Sequence, residues 1–186
     1  MAIRKVARMG HPVLRMKARE LTREEVLSAE TRSFVQDLLE TMEEYGGIGI
    51  AAPQVHESVS LAIIDYQEDE ENPIPPTVVV NPKITVLDEA RQGYWEGCLS
   101  VPEIRGLVHR PRKIRVDFKD LEFKDRSIVA EGFLATVFQH ELDHLGGVLF
   151  VDRIEYGPGT SPIAFTEEYA KHLAHARAED IGELDD

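Results

Sequence analysis

QHELDHLGG, residues 139–147, contains the pattern H-E-x-x-H. Read as a helix, it places His140 and His144 on one face, because residues four apart lie nearly above one another. With His140 at zero and about 100° per residue, His144 falls near 40°, Val137 near 60° and Phe133 near 20°. One narrow face therefore carries two imidazoles and two apolar side chains, the makings of a metal site with a hydrophobic wall. Glu141 sits beside the imidazoles but is turned from them, where it can act as a base on a reacting water. Leu134, Phe138, Leu142 and Leu145 continue round the same helix, so it should run through the core from about Gly132 to Leu145. Gly146 and Gly147 supply its stop.

A catalytic ion wants three protein ligands and one open position, so a third ligand is needed. The pattern H-E-x-x-H-x-x-G-x-x-H fits as far as Gly147 and then fails, because Phe150 occupies the place of the third histidine. Two sources remain. Glu167 or Glu168 could serve by spacing, as in zinc endopeptidases that take a glutamate from a later helix. Alternatively Cys98, the only cysteine, stands in YWEGCLSVP at the end of an expected strand, and a Cys-His-His set leaves the fourth position open. A lone cysteine can also be inert core, and a metal held this way can be purely structural in a binding module.

Composition narrows the class. A chain of 186 residues with 42% hydrophobic content can build one domain with a sizeable core. Thirty-four acids against 21 bases leave a net charge of −13, a field that repels nucleic acid and anionic membrane. The basic stretch RGLVHRPRKIR, 105–115, is read as solvent-facing positions on strands. No apolar run has the length of a signal peptide or a membrane span, and one cysteine excludes an internal disulfide framework; the cytoplasm is the expected compartment. Monomer is the default expectation.

Working outward, Phe34, Val35, Leu38, Leu39, Met42 and Tyr45 recur at helical spacing and predict an amphipathic helix from Ser28 to Tyr45, closed by Gly46 and Gly47. GIGIAAPQV predicts an irregular or edge segment. SLAIIDY, 60–66, reads as a strand and QEDEENPIPP as a solvated loop, with TVVVN resuming as strand. Further strands are expected at Ile84–Leu87, Tyr94–Cys98, Gly106–His109, Lys113–Phe118 and Ser127–Ala130. After a break at GPGTSP, Phe165, Tyr169, Leu173 and Ala176 form a thin stripe predicting a last helix, followed by the polar tail AEDIGELDD, which should fray. The fold class is α+β: antiparallel or mixed sheets packed around a central buried helix that carries H-E-x-x-H, with an N-terminal amphipathic helix and a C-terminal helix.

GIGIAAPQ (47–54), EGCLS (96–100) and QHELDHLGG (139–147) together resemble, in order and spacing, the three signature motifs of the peptide deformylases. The similarity covers roughly Ile3 to Ile154 and implies one catalytic domain, core about 3–154, with the C-terminal helix and acidic tail in 162–186. The resemblance implies removal of the formyl group from the N-terminal formylmethionine of nascent polypeptides. It also implies one divalent ion, natively Fe²⁺ with Zn²⁺, Ni²⁺ or Co²⁺ able to substitute, held by Cys98, His140 and His144. Glu141 would be the acid and base, Gln54 (side-chain amide) and Leu99 (backbone N–H) the oxyanion donors, and Ile48, Gly49 and Gly97 the substrate-contacting positions. Phe133 and Val137 would wall the methionine pocket, and Asp143 would orient a histidine or a buried arginine such as Arg110. Two features depart from the family. Gly46 stands where some relatives carry an acid, so a salt bridge made there is absent. Relatives with a basic C-terminal helix use it for transient ribosome contact, whereas residues 163–186 hold seven acids against Lys171 and Arg177.

Overall fold

A computed structural model describes residues 2–67, 74–157 and 162–171. The element order is α1 (Arg23–Leu27), α2 (Ala29–Glu44), β1 (Gly49–Ala51), β2 (Leu61–Tyr66), β3 (Ile74–Cys98), β4 (Val101–Lys119), β5 (Asp125–Glu131), α3 (Gly132–Leu145) and β6 (Ile163–Phe165), with short 3-10 turns between. The strands form one sheet in the order β1-β2-β3-β4-β5, with β6 pairing β4. Every pairing between these strands is antiparallel. The fold is thus α+β with an antiparallel sheet and few helices.

β2 is apolar almost throughout because both of its faces are covered. Ala62 and Ile64 pack with Val116, Phe118, Ala135 and Phe138 under α3. Leu61 and Ile63 pack on the other side with Val35, Leu38 and Met42 of α2. A third cluster joins Leu14 near the N-terminus to Val108, Leu149 and Phe150. The Ser28 hydroxyl caps α2 by accepting from Thr31 N–H at 3.1 Å. α2 stops at Gly46, which takes φ +65°, while Gly47 N–H reaches back to the Met42 carbonyl at 2.9 Å. An acidic residue at 46 would have to adopt that left-handed conformation, so here glycine ends the helix and fixes the entry into β1.

Three expectations need correction. The strands expected separately from Thr77 to Cys98, and again from Gly106 to Phe118, are two continuous strands of 25 and 19 residues. Register shifts at Val80/Lys83, Val86/Asp88 and Asp88/Arg91 absorb the prolines and charges that read as breaks. Residues 74–76 belong to β3 rather than to a loop; the acidic stretch 68–73 lies outside the described residues. Phe165 ends a strand, and helix begins only at residue 166, running to the limit of the described stretch at 171. β4 offers an open edge there, and its backbone groups outweigh the weak helical stripe. Leu173, Ala176 and the tail lie outside the described residues. The basic stretch is only partly a solvated face: Arg112 and Lys113 pair with Glu131 and Arg115 with Asp117, whereas Arg110 is buried against Glu96.

Candidate metal centre and active site

The β3–β4 hairpin turns immediately after Cys98, which pairs with Val101 across Leu99 and Ser100. That turn delivers the sulfur to α3. The Sγ of Cys98 and one ring nitrogen each of His140 and His144 lie within 4.8 Å of one another, and Cys98 Sγ is 3.3 Å from His144 Nε2. The two histidines are buried and Cys98 is partly so. Glu167 and Glu168 are exposed, and among the described residues neither joins this group. The donor set suits a divalent ion: one soft sulfur and two imidazoles, the three protein ligands a catalytic site needs.

His140 is aimed by a residue that sequence reasoning passed over. Its Nδ1–H donates to Glu96 Oε2 at 2.7 Å, leaving Nε2 for the sulfur side. Glu96 in turn accepts two bonds from the buried guanidinium of Arg110, at 2.6 and 3.0 Å. Arg110 also donates to Asp143 at 2.8 Å, and Asp143 accepts from Arg153 at 2.7 Å. The expected partnership of Asp143 with Arg110 therefore exists, and it supports Glu96 rather than touching a histidine. The available signal was strand alternation, since Glu96 and Cys98 are two apart and share a face.

The electrostatics follow from burial and these bonds. Burial works against charge on Glu96, yet the bonds from His140 and Arg110 hold its carboxyl below the ordinary range. Burial likewise opposes a charge on His140, and Cys98 and Glu96 outweigh it, lifting the imidazole well above its ordinary value. His144 goes well below, through burial first and then the neighbouring positive groups. Glu141 is pushed up to about 7, chiefly by burial. Among the described residues, Glu141 Oε2 and His144 Nδ1 are buried with no hydrogen-bond partner. An unpaired buried carboxylate oxygen costs about 1–3 kcal/mol or more, so its retention beside the donor cluster points to a reacting group as its partner.

A cleft of about 430 Å³ opens over this centre. Its lining includes Ile48, Gly49, Gln54, Gly97, Cys98, Leu99, His140 and Glu141, so the candidate ligands, catalytic groups and substrate-contacting positions meet there, with the deeper His144 behind them; Asp143, Arg110, Glu167 and Glu168 are not part of the lining. Phe133, Thr136 and Val137 line it from α3. Gln54 is fixed by Ala51 N–H donating to its Oε1 at 2.8 Å, which turns its Nε2 towards Ser100 Oγ at 3.3 Å and Cys98 Sγ at 3.5 Å. The N-terminal segment straps the two walls: Ala7 N–H donates to the Gln54 carbonyl and Met9 N–H to that of Ser100, both at 2.7 Å. Gly49 has a packing reason to be glycine, since a Cβ there would come within 2.6 Å of the Glu141 carboxylate.

The family described as Polypeptide deformylase matches residues 3–157. The chain belongs to the peptide deformylase family. The peptide deformylase of Leptospira biflexa serovar Patoc is 39% identical over 160 residues, covering 83% of this chain and 89% of that one. The peptide deformylase of Rhizobium meliloti is 42% identical over 154 residues, covering 83% and 86%. Among solved structures, a peptide deformylase from Synechococcus elongatus in complex with actinonin superposes with a TM-score of 0.74 at 40% identity, covering 81% of this chain and 78% of that one. A Met-Ala-Ser-bound class I type b peptide deformylase from Acinetobacter baumannii gives 0.78 at 34% identity, covering 82% and 99%. This deformylase is accordingly a metal-dependent hydrolase, and the endopeptidase alternative built on Glu167 or Glu168 falls away. No helix among its described residues is long and apolar enough to cross a membrane.

Proposed function

We propose that this deformylase removes the formyl group from the N-terminal formylmethionine of nascent polypeptides in the cytoplasm, releasing formate. The observation that carries the residue assignment is one sulfur and two ring nitrogens within 4.8 Å at the floor of a cleft, beside a buried carboxylate oxygen with no partner. Cys98, His140 and His144 would hold a divalent ion, Fe²⁺ natively, with Zn²⁺, Ni²⁺ or Co²⁺ able to substitute. When bound, the ion supplies Lewis acidity, which acidifies water and polarises a carbonyl.

The chain's own groups do the rest. Glu141 takes the proton of the attacking water and delivers it to the leaving amine; its raised pKa, about 7, suits a group that must both accept and donate near neutral pH. Gln54 Nε2–H and Leu99 N–H donate to the oxyanion as it forms. The edge of β1, which among the described residues pairs with β2 alone, receives the peptide as an added strand at Ile48 and Gly49, with Gly97 opposite. Phe133 and Val137 receive the methionine side chain. The chain acts as one catalytic domain and as a monomer, with no nucleic-acid partner; its acidic C-terminal region does not favour ribosome docking through a basic helix.

The test is release of formate from formyl-Met-Ala-Ser by anaerobically prepared protein, since a ferrous ion and its thiolate both oxidise. Stoichiometric formate is expected. A metal-loaded, folded protein that cleaves internal peptide bonds and releases none would overturn the reading.

A further inference from the structure

Residues 162–171 lie beyond residues 3–157, which the family's model matches, and they reach the cleft. Pro162 accepts a bond from Leu107 N–H at 2.8 Å, and β6 then adds to β4, pairing Ile163 with Gly106, Ala164 with Arg105 and Phe165 with Ile104. The chain next enters a helix, where Thr166 joins the cleft lining and Tyr169 packs on Trp95 with ring centroids 5.1 Å apart. On its other side Arg105 pairs with Gly97. Two strand spacings of about 4.8 Å put Ala164 roughly 10 Å from Gly97, measured across the strands. Thr166 lines the same cleft as Cys98 and His140, so a substrate that extends through it past the metal centre meets this wall.

We infer that residues 162–171 form the outer wall of the cleft and select the substrate residues that follow formylmethionine, favouring apolar side chains. The inference rests on the deformylase reading and extends it to specificity. The chemistry of the wall sets the preference. Trp95 and Ile104 present apolar surface beside the methyl-bearing Thr166, and the two charged neighbours, Glu103 and Arg105, are of opposite sign and give no net charge selection. β6 could instead serve only to cover the edge of β4, a common protection for an open strand. Cleft lining by Thr166 is what edge cover alone does not require.

The test compares a chain ending at Ser161 with one ending at Lys171, each loaded with metal, on formyl-Met-Ala and formyl-Met-Leu-Phe. Loss of the wall should raise KM for formyl-Met-Leu-Phe by about fivefold or more with kcat unchanged, and leave formyl-Met-Ala within about twofold, the pattern of lost ground-state binding at a distal position. The chain ending at Lys171 should behave as the full chain. Equal changes on both substrates, or none, would overturn the inference. Should the shorter chain not fold, Thr166→Trp in the full chain decides: a bulky ring in the outer cleft should raise KM for the longer substrate alone, and parallel kinetics on both would overturn the inference. A full chain that is folded and metal-loaded but releases formate from neither substrate fails at the deformylase reading itself, a different outcome from active enzymes with identical selectivity.

Discussion

The floor and the rim of the cleft are built by opposite means. The floor is buried charge: Glu96 and Arg110 are 5% and 4% exposed, and with Asp143 they hold His140 through bonds no longer than 3.0 Å. The rim is more open, with Ile48, before β1, and Phe165, at the end of β6, 36% and 66% exposed. Buried ionic networks tolerate almost no displacement, whereas strand edges accept many sequences through main-chain bonds. A processing enzyme for many different chains needs both: a rigid reacting centre, and a peptide channel that holds its substrate mainly by the backbone.

Changes to the floor should have the largest effects. Glu141→Gln should lower kcat/KM by about 10²–10⁴-fold with metal content unchanged, because it removes the proton carrier and none of the donors; formate assays beside metal analysis check it, and unchanged activity would dissolve the distinction between floor and wall. Glu96→Ala should destabilise the chain by about 3–5 kcal/mol in urea unfolding, since it leaves the Arg110 charge buried without its main partner. The same kind of change outside the floor should do little: Arg91 and Glu155 are half exposed, and Arg91→Gln should cost less than about 1 kcal/mol. Comparable losses at both places would mean that burial does not separate the two regions.

The smallest effect belongs outside the cleft, whose lining does not include Glu25. Glu25, in the capping box of α1, is held at about 2 by bonds from Arg19 and Thr22, against an ordinary 4.5. A depressed carboxyl stabilises the fold above its ordinary value, and that contribution is lost as pH falls from about 4.5 towards 2. Unfolding curves of the parent and Glu25→Gln should therefore differ at neutral pH and converge over that window. Activity should not change; a Glu25→Gln protein with altered kcat/KM would link α1 to the floor in a way the geometry does not show.

What was legible in the sequence tracks the strength of the local signal. α2 announced itself because Val35, Leu38 and Met42 repeat at helical spacing between a capping serine and two glycines. β2 was visible as a short apolar run. The continuity of β3 and β4 was not, because Pro82, Pro111 and the charges of 88–91 look like breaks until a partner strand with matching bulges is in place. β6 was hidden for a related reason: three residues pair only because an open edge of β4 is waiting, and no periodicity records that. At the site, the candidate residues came from motif and resemblance, and their convergence in one cleft is a property of the fold. Glu96 escaped because the motif drew notice to its cysteine, while the carboxylate's role depends on His140 arriving from 44 residues away.

Everything proposed for the floor depends on the cysteine sulfur being a ligand rather than packing. The direct measurement is metal per chain, by elemental analysis of anaerobically purified parent and Cys98→Ala proteins, with circular dichroism to establish that both are folded. One ion per parent chain and almost none in the folded variant is the expected result. A folded Cys98→Ala protein that retains a full equivalent of metal would contradict it.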